Sequence, residues 1–178
     1  MKRNLYLIIL MFMGTLLAYA GGNIINDVKV NDKQKVLHSD FKDATFVTIQ
    51  GDSVKLSDYV GKYDYVLVDF WASWCGPCMR EMPNVKNAYE KYKGRGLQIV
   101  GISLDKDKTA WKNALTRLAI TWPQLTDMNA QGSFSASLYG VQYIPYIVIF
   151  DKSGKIIAKN LHGPELLNKL EELMPSKK

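Results

Sequence analysis

The sequence predicts an α/β domain with helices flanking a central mixed β-sheet, and three observations lead there. Apolar runs at residues 65–70, 97–104 and 146–150 are short and nearly uninterrupted, which suits strands buried on both faces. Between and after them lie segments whose apolar residues recur at spacings of three and four, the pattern of helices packed on a sheet. Asp151-Lys152-Ser153-Gly154 then reads as a turn joining the last apolar run to residues 155–161 as a hairpin partner, so antiparallel neighbours accompany the parallel ones.

Residues 1–20 read as a signal peptide: Lys2 and Arg3 supply its positive start, residues 5–17 its apolar core and Ala18-Tyr19-Ala20 a small-x-small cleavage site. The mature chain is expected to begin at Gly21. An uncleaved anchor is the alternative, but the apolar run is short against the ~20 residues a spanning helix needs. Either version exports the domain to the periplasm, and no cysteine stands near the cleavage site to carry a lipid. Residues 21–40 are polar and mixed, an N-terminal arm with one short strand near residues 28–30, and residues 41–175 form one domain. Removing Lys2 and Arg3 lowers Lys plus Arg from 23 to 21 against 17 acids, so the mature charge is +4. The lysines are scattered, with small clusters at Lys106 and Lys108 and at Lys177 and Lys178, which predicts solvated faces and no nucleic-acid partner.

Within the domain, residues 44–50 are strand-like, Gly51-Asp52-Ser53 is a turn, and Ser57 is placed to cap a short turn over residues 58–60. After the run at 65–70 comes a helix reaching Lys93, with Met82, Val85, Tyr89 and Tyr92 facing inward and Pro83 expected to kink it. Lys93-Gly94-Arg95-Gly96 closes that helix. Trp111, Leu115 and Leu118 mark one face of a second helix, residues 120–125 a short strand, residues 131–139 a short helix ended by Gly140, and residues 164–173 a closing helix.

The only two cysteines, Cys75 and Cys78, lie in Trp71-Ala72-Ser73-Trp74-Cys75-Gly76-Pro77-Cys78. Such a pair is half of a zinc site or a redox dithiol. Zinc wants four ligands, and the only histidines, His38 and His162, lie far from the cysteines and from each other in sequence, so no metal and no other cofactor is expected. Pro77 suits a first helical turn, which puts Cys75 at a helix N-terminus, where unpaired N–H groups and the positive dipole end favour a thiolate. Cys75 then attacks a substrate disulfide and Cys78, one turn on, resolves the mixed disulfide.

Val66-Leu67-Val68-Asp69-Phe70-Trp71-Ala72-Ser73-Trp74-Cys75-Gly76-Pro77-Cys78 resembles the active-site strand and loop of thioredoxin. Tyr139-Gly140-Val141-Gln142-Tyr143-Ile144-Pro145, followed by residues 147–150, resembles that family's cis-proline loop and next strand. Residues 51–61, with Leu56-Ser57-Asp58-Tyr59, resemble the lead-in of exported TlpA/ResA-like domains. The resemblance implies a thioredoxin fold with an N-terminal extension and a central insertion, placed between Asp105 and Met128. It implies Cys75 and Cys78 as the redox-active disulfide, Asp69 as the acid that takes and returns the proton of Cys78, and a cis bond before Pro145. Trp74, Gly76, Pro77, Ile144 and Pro145 become substrate-binding residues. Tyr146 departs from the small hydroxyl residue the family commonly has. Burial of Asp69 in an apolar strand should raise its pKa, and the family's lysine partner for that acid aligns with Gly101, so the cation is missing unless Asp105 or Lys106 reaches it.

The function these residues imply is that of an exported thiol-disulfide oxidoreductase, reducing disulfides in other proteins, working as a monomer and supplied with electrons by a membrane partner. Cys-Gly-Pro-Cys resembles thioredoxin, near about −270 mV, more than the oxidant DsbA, near about −120 mV. An exported oxidase or isomerase, a thiol peroxidase and a non-catalytic binding module are the alternatives.

Overall fold

The computed structural model describes residues 37–127 and 134–176. The expected signal peptide, most of the arm with its strand near 28–30, and residues 131–133 of the expected short helix lie outside the described residues.

In chain order the elements are β1 (Thr45–Thr48), β2 (Ser53–Lys55), a 3-10 turn (Leu56–Asp58), β3 (Tyr65–Trp71), α1 (Gly76–Tyr92), a second 3-10 turn (Lys93–Arg95), β4 (Leu97–Ser103), α2 (Lys108–Leu118), β5 (Gln124–Thr126), α3 (Phe134–Leu138), β6 (Tyr146–Asp151), β7 (Ile156–Lys159) and α4 (Gly163–Leu173). They build one seven-stranded sheet in the order β2-β1-β5-β4-β3-β6-β7. The β3–β4 and β4–β5 pairs are parallel, and the pairs toward both edges are antiparallel. The mixed sheet is as expected. Residues 105–128 hold α2 and β5, and β5 ties the β1–β2 hairpin to the parallel centre.

The uninterrupted apolar run of β3 reflects two cores. Leu67 and Trp71 face one side, with Met82, Val85, Trp111, Leu166 and Leu170 from α1, α2 and α4. Val66, Val68 and Phe70 face the other, with Phe46, Leu56, Ala136 and Tyr139. A strand buried on both faces needs apolar side chains at successive positions, so the alternation of a half-exposed strand disappears. Asp69 interrupts this pattern on the first face and is 3% exposed.

Three local expectations are corrected. Ser53 begins β2 and is not part of the turn. Ser57 lies inside the 3-10 turn, which Lys55 caps: the Asp58 carboxylate accepts from the Lys55 N–H at 2.9 Å, while Ser57 donates to Asp43. The strand expected over 120–125 is confined to Gln124–Thr126, because the left-handed Ala119, φ 50°, ends α2 and a loop precedes the sheet. Pro83 sits on the exposed side of α1, which runs through it as one helix.

Candidate active site

Cys75 is the N-cap of α1 and Pro77 lies in its first turn. The cap is a sulfur: Cys75 Sγ accepts from the backbone N–H of Cys78 at 3.1 Å, satisfying one of the donors a helix start leaves open. The two cysteines form a disulfide, with Cα atoms 5.2 Å apart. No acidic side chain stands in this first turn, so nothing there opposes the positive end of the helix. Cys75 is nevertheless only 4% exposed, against 2% for Cys78, so the attacking sulfur expected at an open helix end is reached through a narrow window.

That window is framed by the residues the sequence singled out. Trp74 is 67% exposed, in contrast to the buried Trp71, and Gly76 and Pro77 are also exposed. The Ile144–Pro145 peptide bond is cis, and the carbonyl oxygen of Ile144 lies 3.7 Å from Cys75 Sγ. Tyr143, 59% exposed, and the half-buried Tyr146 meet edge to face at 6.1 Å on either side of this dipeptide, and Asn160 donates to the Tyr143 hydroxyl at 3.0 Å. The sequence marks Tyr146 as a departure and does not single out Tyr143. The signal that could have found it was an aromatic residue two positions before Pro145.

Asp69, buried on β3 between Leu67 and Trp71, lies on the sheet face whose core also holds Cys78. Its pKa is pushed up to about 7, first by desolvation and then by the charge of Glu81 on α1. Glu81 was not foreseen. It stands three residues after Cys78, and its carboxylate accepts from the Gly163 N–H at 2.7 Å and from Asn84 Nδ2 at 3.1 Å. Asp105 is engaged elsewhere. It accepts from Ser73 N at 2.9 Å, Ser73 Oγ at 2.5 Å and Ser103 Oγ at 2.7 Å, pinning the loop before Cys75 to the end of β4. Among the described residues no cluster of histidine, cysteine and carboxylate side chains could hold a metal ion.

A dithiol at a helix start beside a cis-proline loop is chemistry for thiol-disulfide exchange, and the comparisons agree. The Redoxin family model matches residues 31–173. The chain belongs to the redoxin family. The thiol-disulfide oxidoreductase ResA of Bacillus cereus is 32% identical to this redoxin over 126 residues, covering 71% of this chain and 69% of the relative. ResA of Bacillus thuringiensis is 27% identical over 98% of this chain and 97% of the relative. Among solved structures, the thioredoxin domain of a thiol-disulfide oxidoreductase from Bacteroides vulgatus matches with a TM-score of 0.68 and 34% identity, over 75% of this chain and 94% of that one. A thiol-disulfide oxidoreductase from Bacteroides fragilis matches with a TM-score of 0.69 and 30% identity, over 74% and 97%. This redoxin is a thiol-disulfide oxidoreductase of the TlpA/ResA-like kind.

Proposed function

We propose that this redoxin reduces disulfides in other proteins after export, with Cys75 as nucleophile, Cys78 as resolving thiol and Asp69 as proton acceptor. The observation that carries the reading is the placement of Cys75 Sγ, held by the Cys78 N–H at 3.1 Å and set beside the Ile144 carbonyl at 3.7 Å. In the reduced protein the same N–H and helix end favour a Cys75 thiolate. The thiolate attacks one sulfur of a substrate disulfide, forming a mixed disulfide and expelling the other substrate sulfur, which takes up a proton. Cys78 then gives its proton to Asp69 and attacks Cys75 Sγ. The second substrate sulfur leaves, and the enzyme holds the Cys75–Cys78 disulfide, two electrons having passed to the substrate.

Ile144, next to the sulfur, supports docking of an extended peptide by main-chain hydrogen bonds, with Trp74, Gly76, Pro77 and Pro145 supplying the surrounding contact. The Cys-Gly-Pro-Cys sequence supports reduction over oxidation. Lys2, Arg3, the apolar run and Ala18-Tyr19-Ala20 support export to the periplasm with cleavage before Gly21. In an oxidising periplasm the disulfide form must be recharged, and a membrane electron donor supplies that role. No helix among the described residues is long and apolar enough to cross a membrane.

The test is single-turnover reduction of a model peptide disulfide across pH 5 to 9, with formation and decay of the mixed disulfide followed separately. Asp69→Asn is expected to slow decay about a hundredfold near pH 7 while leaving formation nearly unchanged. Superimposable decay profiles would remove the acid/base role. A protein that oxidises the reduced peptide faster than it reduces the disulfide, in a glutathione buffer of fixed ratio, would reverse the direction. N-terminal sequencing of the periplasmic protein should begin at Gly21.

A further inference from the structure

Asp69, Gly101 and Gln124 form a row across the three parallel strands: Asp69 on β3 pairs with Gly101 on β4, and Gly101 pairs with Gln124 on β5. All three face the core that holds Trp71 and Cys78. Gly101 leaves the middle of the row empty, and the Gln124 amide fills it. A Cβ on Gly101 would collide with Gln124 Nε2 and Oε1, so the side chain from β5 lies directly over the glycine, on the path toward Asp69.

The amide has one chemical orientation. Trp71 Nε1–H donates to Gln124 Oε1 at 3.0 Å, and exchanging the oxygen and nitrogen would set two donors against each other. That bond fixes Oε1 on Trp71 and leaves Nε2 as a buried donor with no hydrogen-bond partner. A buried N–H without an acceptor is costly, and such groups in folded proteins call for a reason. The acceptor within the row is the Asp69 carboxylate, which needs donors when it carries charge. Glu81 on α1 acts on Asp69 as a second negative charge, while β6 offers Ile147 beside it and β4 only Gly101.

We infer that Gln124 is a positioning residue for the proton acceptor: reaching over Gly101, its Nε2–H hydrogen-bonds Asp69 once that carboxylate has taken on charge. The neutral amide stabilises ionised Asp69 without the permanent charge of an ammonium, and its bond to Asp69 weakens when the carboxylate takes up a proton, since a charged acceptor binds an N–H more strongly than a neutral carboxyl does. Trp71, four residues before Cys75, thereby helps hold the group that serves Asp69. The inference rests on the reading of Asp69 as proton acceptor, but its first test does not depend on turnover.

The test uses the oxidised protein, in which neither cysteine titrates. With 15N and 13C labelling, the Asp69 carboxyl carbon and the Gln124 side-chain amide are followed by NMR from pH 5 to 9. The Gln124 amide protons should move with the same midpoint as the Asp69 carboxyl. Gln124→Met, which keeps the length and removes the donor, should raise that midpoint by about one pH unit, and Trp71→Phe should raise it by less. An amide that ignores the Asp69 titration in the wild-type protein overturns the inference, even if the variants fail to fold. So does an unmoved midpoint in a folded Gln124→Met protein. A normal mixed-disulfide decay in Asp69→Asn would instead remove the catalytic reading while leaving the NMR contact in place.

Discussion

The Glu81 carboxylate accepts a 2.7 Å hydrogen bond from the backbone N–H of Gly163, so the residue one turn beyond Cys78 also caps the first turn of α4. Gly163 adopts φ +51°, a left-handed conformation that favours glycine, and its N–H reaches across to α1. The same carboxylate is the charge that adds to desolvation in raising Asp69. One side chain therefore joins helix packing to the proton affinity of Asp69.

Glu81→Gln separates these two effects. The amide oxygen still accepts from Gly163, so α4 should stay seated, while the negative charge is gone. Asp69 in the oxidised protein should then titrate below about 7, yet still above the ordinary carboxylate value of 3.8, because desolvation is the larger cause. The Asp69 carboxyl carbon reports this directly. A midpoint equal to or above that of the wild type would show that the Glu81 charge does not act on Asp69.

Asp69 also sets a pH dependence of stability. Its pKa in the folded state is about 7 against 3.8, so the favourable contribution is complete below about pH 4 and is lost as pH rises to 7. At about 1.36 kcal/mol per unit, ionised Asp69 costs the oxidised fold roughly 4 kcal/mol above pH 7. Asp69→Asn should therefore stabilise the oxidised protein at pH 8 far more than at pH 4, as measured by urea unfolding at both. An equal gain at both values would contradict the buried-acid account.

For the dithiol, the reduced protein at pH 7 should be alkylated at Cys75 well before Cys78, since only Cys75 has the helix end and the Cys78 N–H at its sulfur. Cys75→Ser should abolish turnover. Cys78→Ser should form mixed disulfides that accumulate and can be isolated with the substrate attached. Mass spectrometry of the alkylated peptides checks the order, and equal rates would count against the division of roles.

Asp105 should prove structural. Asp105→Ala leaves Ser73 N, Ser73 Oγ and Ser103 Oγ without their acceptor, at a cost of about 2–4 kcal/mol. The loop before Cys75 should loosen, with faster amide exchange at Ser73. Asp105→Asn keeps an acceptor oxygen and should lose less. A change in the Asp69 titration without any loss of stability would mean that Asp105 acts on the acid after all.

Much of this molecule was written locally. The apolar runs of β3, β4 and β6 need only a few consecutive residues to declare burial on both faces, and Cys75-Gly76-Pro77-Cys78 declares a helix start with a sulfur at its cap because the cap and the proline are neighbours. The acid in an apolar strand and the tyrosine-flanked proline loop are also visible in short stretches. Those features depend on spacing along the chain, which a sequence states outright.

Only the tertiary structure decided what surrounds Asp69. Trp71 and Gln124 are 53 positions apart, Ser73 and Asp105 are 32 apart, and Glu81 and Gly163 are 82 apart. Each pair meets because the register of parallel strands, or the packing of α1 on α4, sets them side by side. Gly101 shows the difference most directly. In the sequence it is a missing cation, and in the fold it is the gap that a glutamine from the next strand fills. Electrostatics falls off with distance in space, so the partners of a buried charge are fixed by the sheet's pairing and not by the residues beside it in the chain.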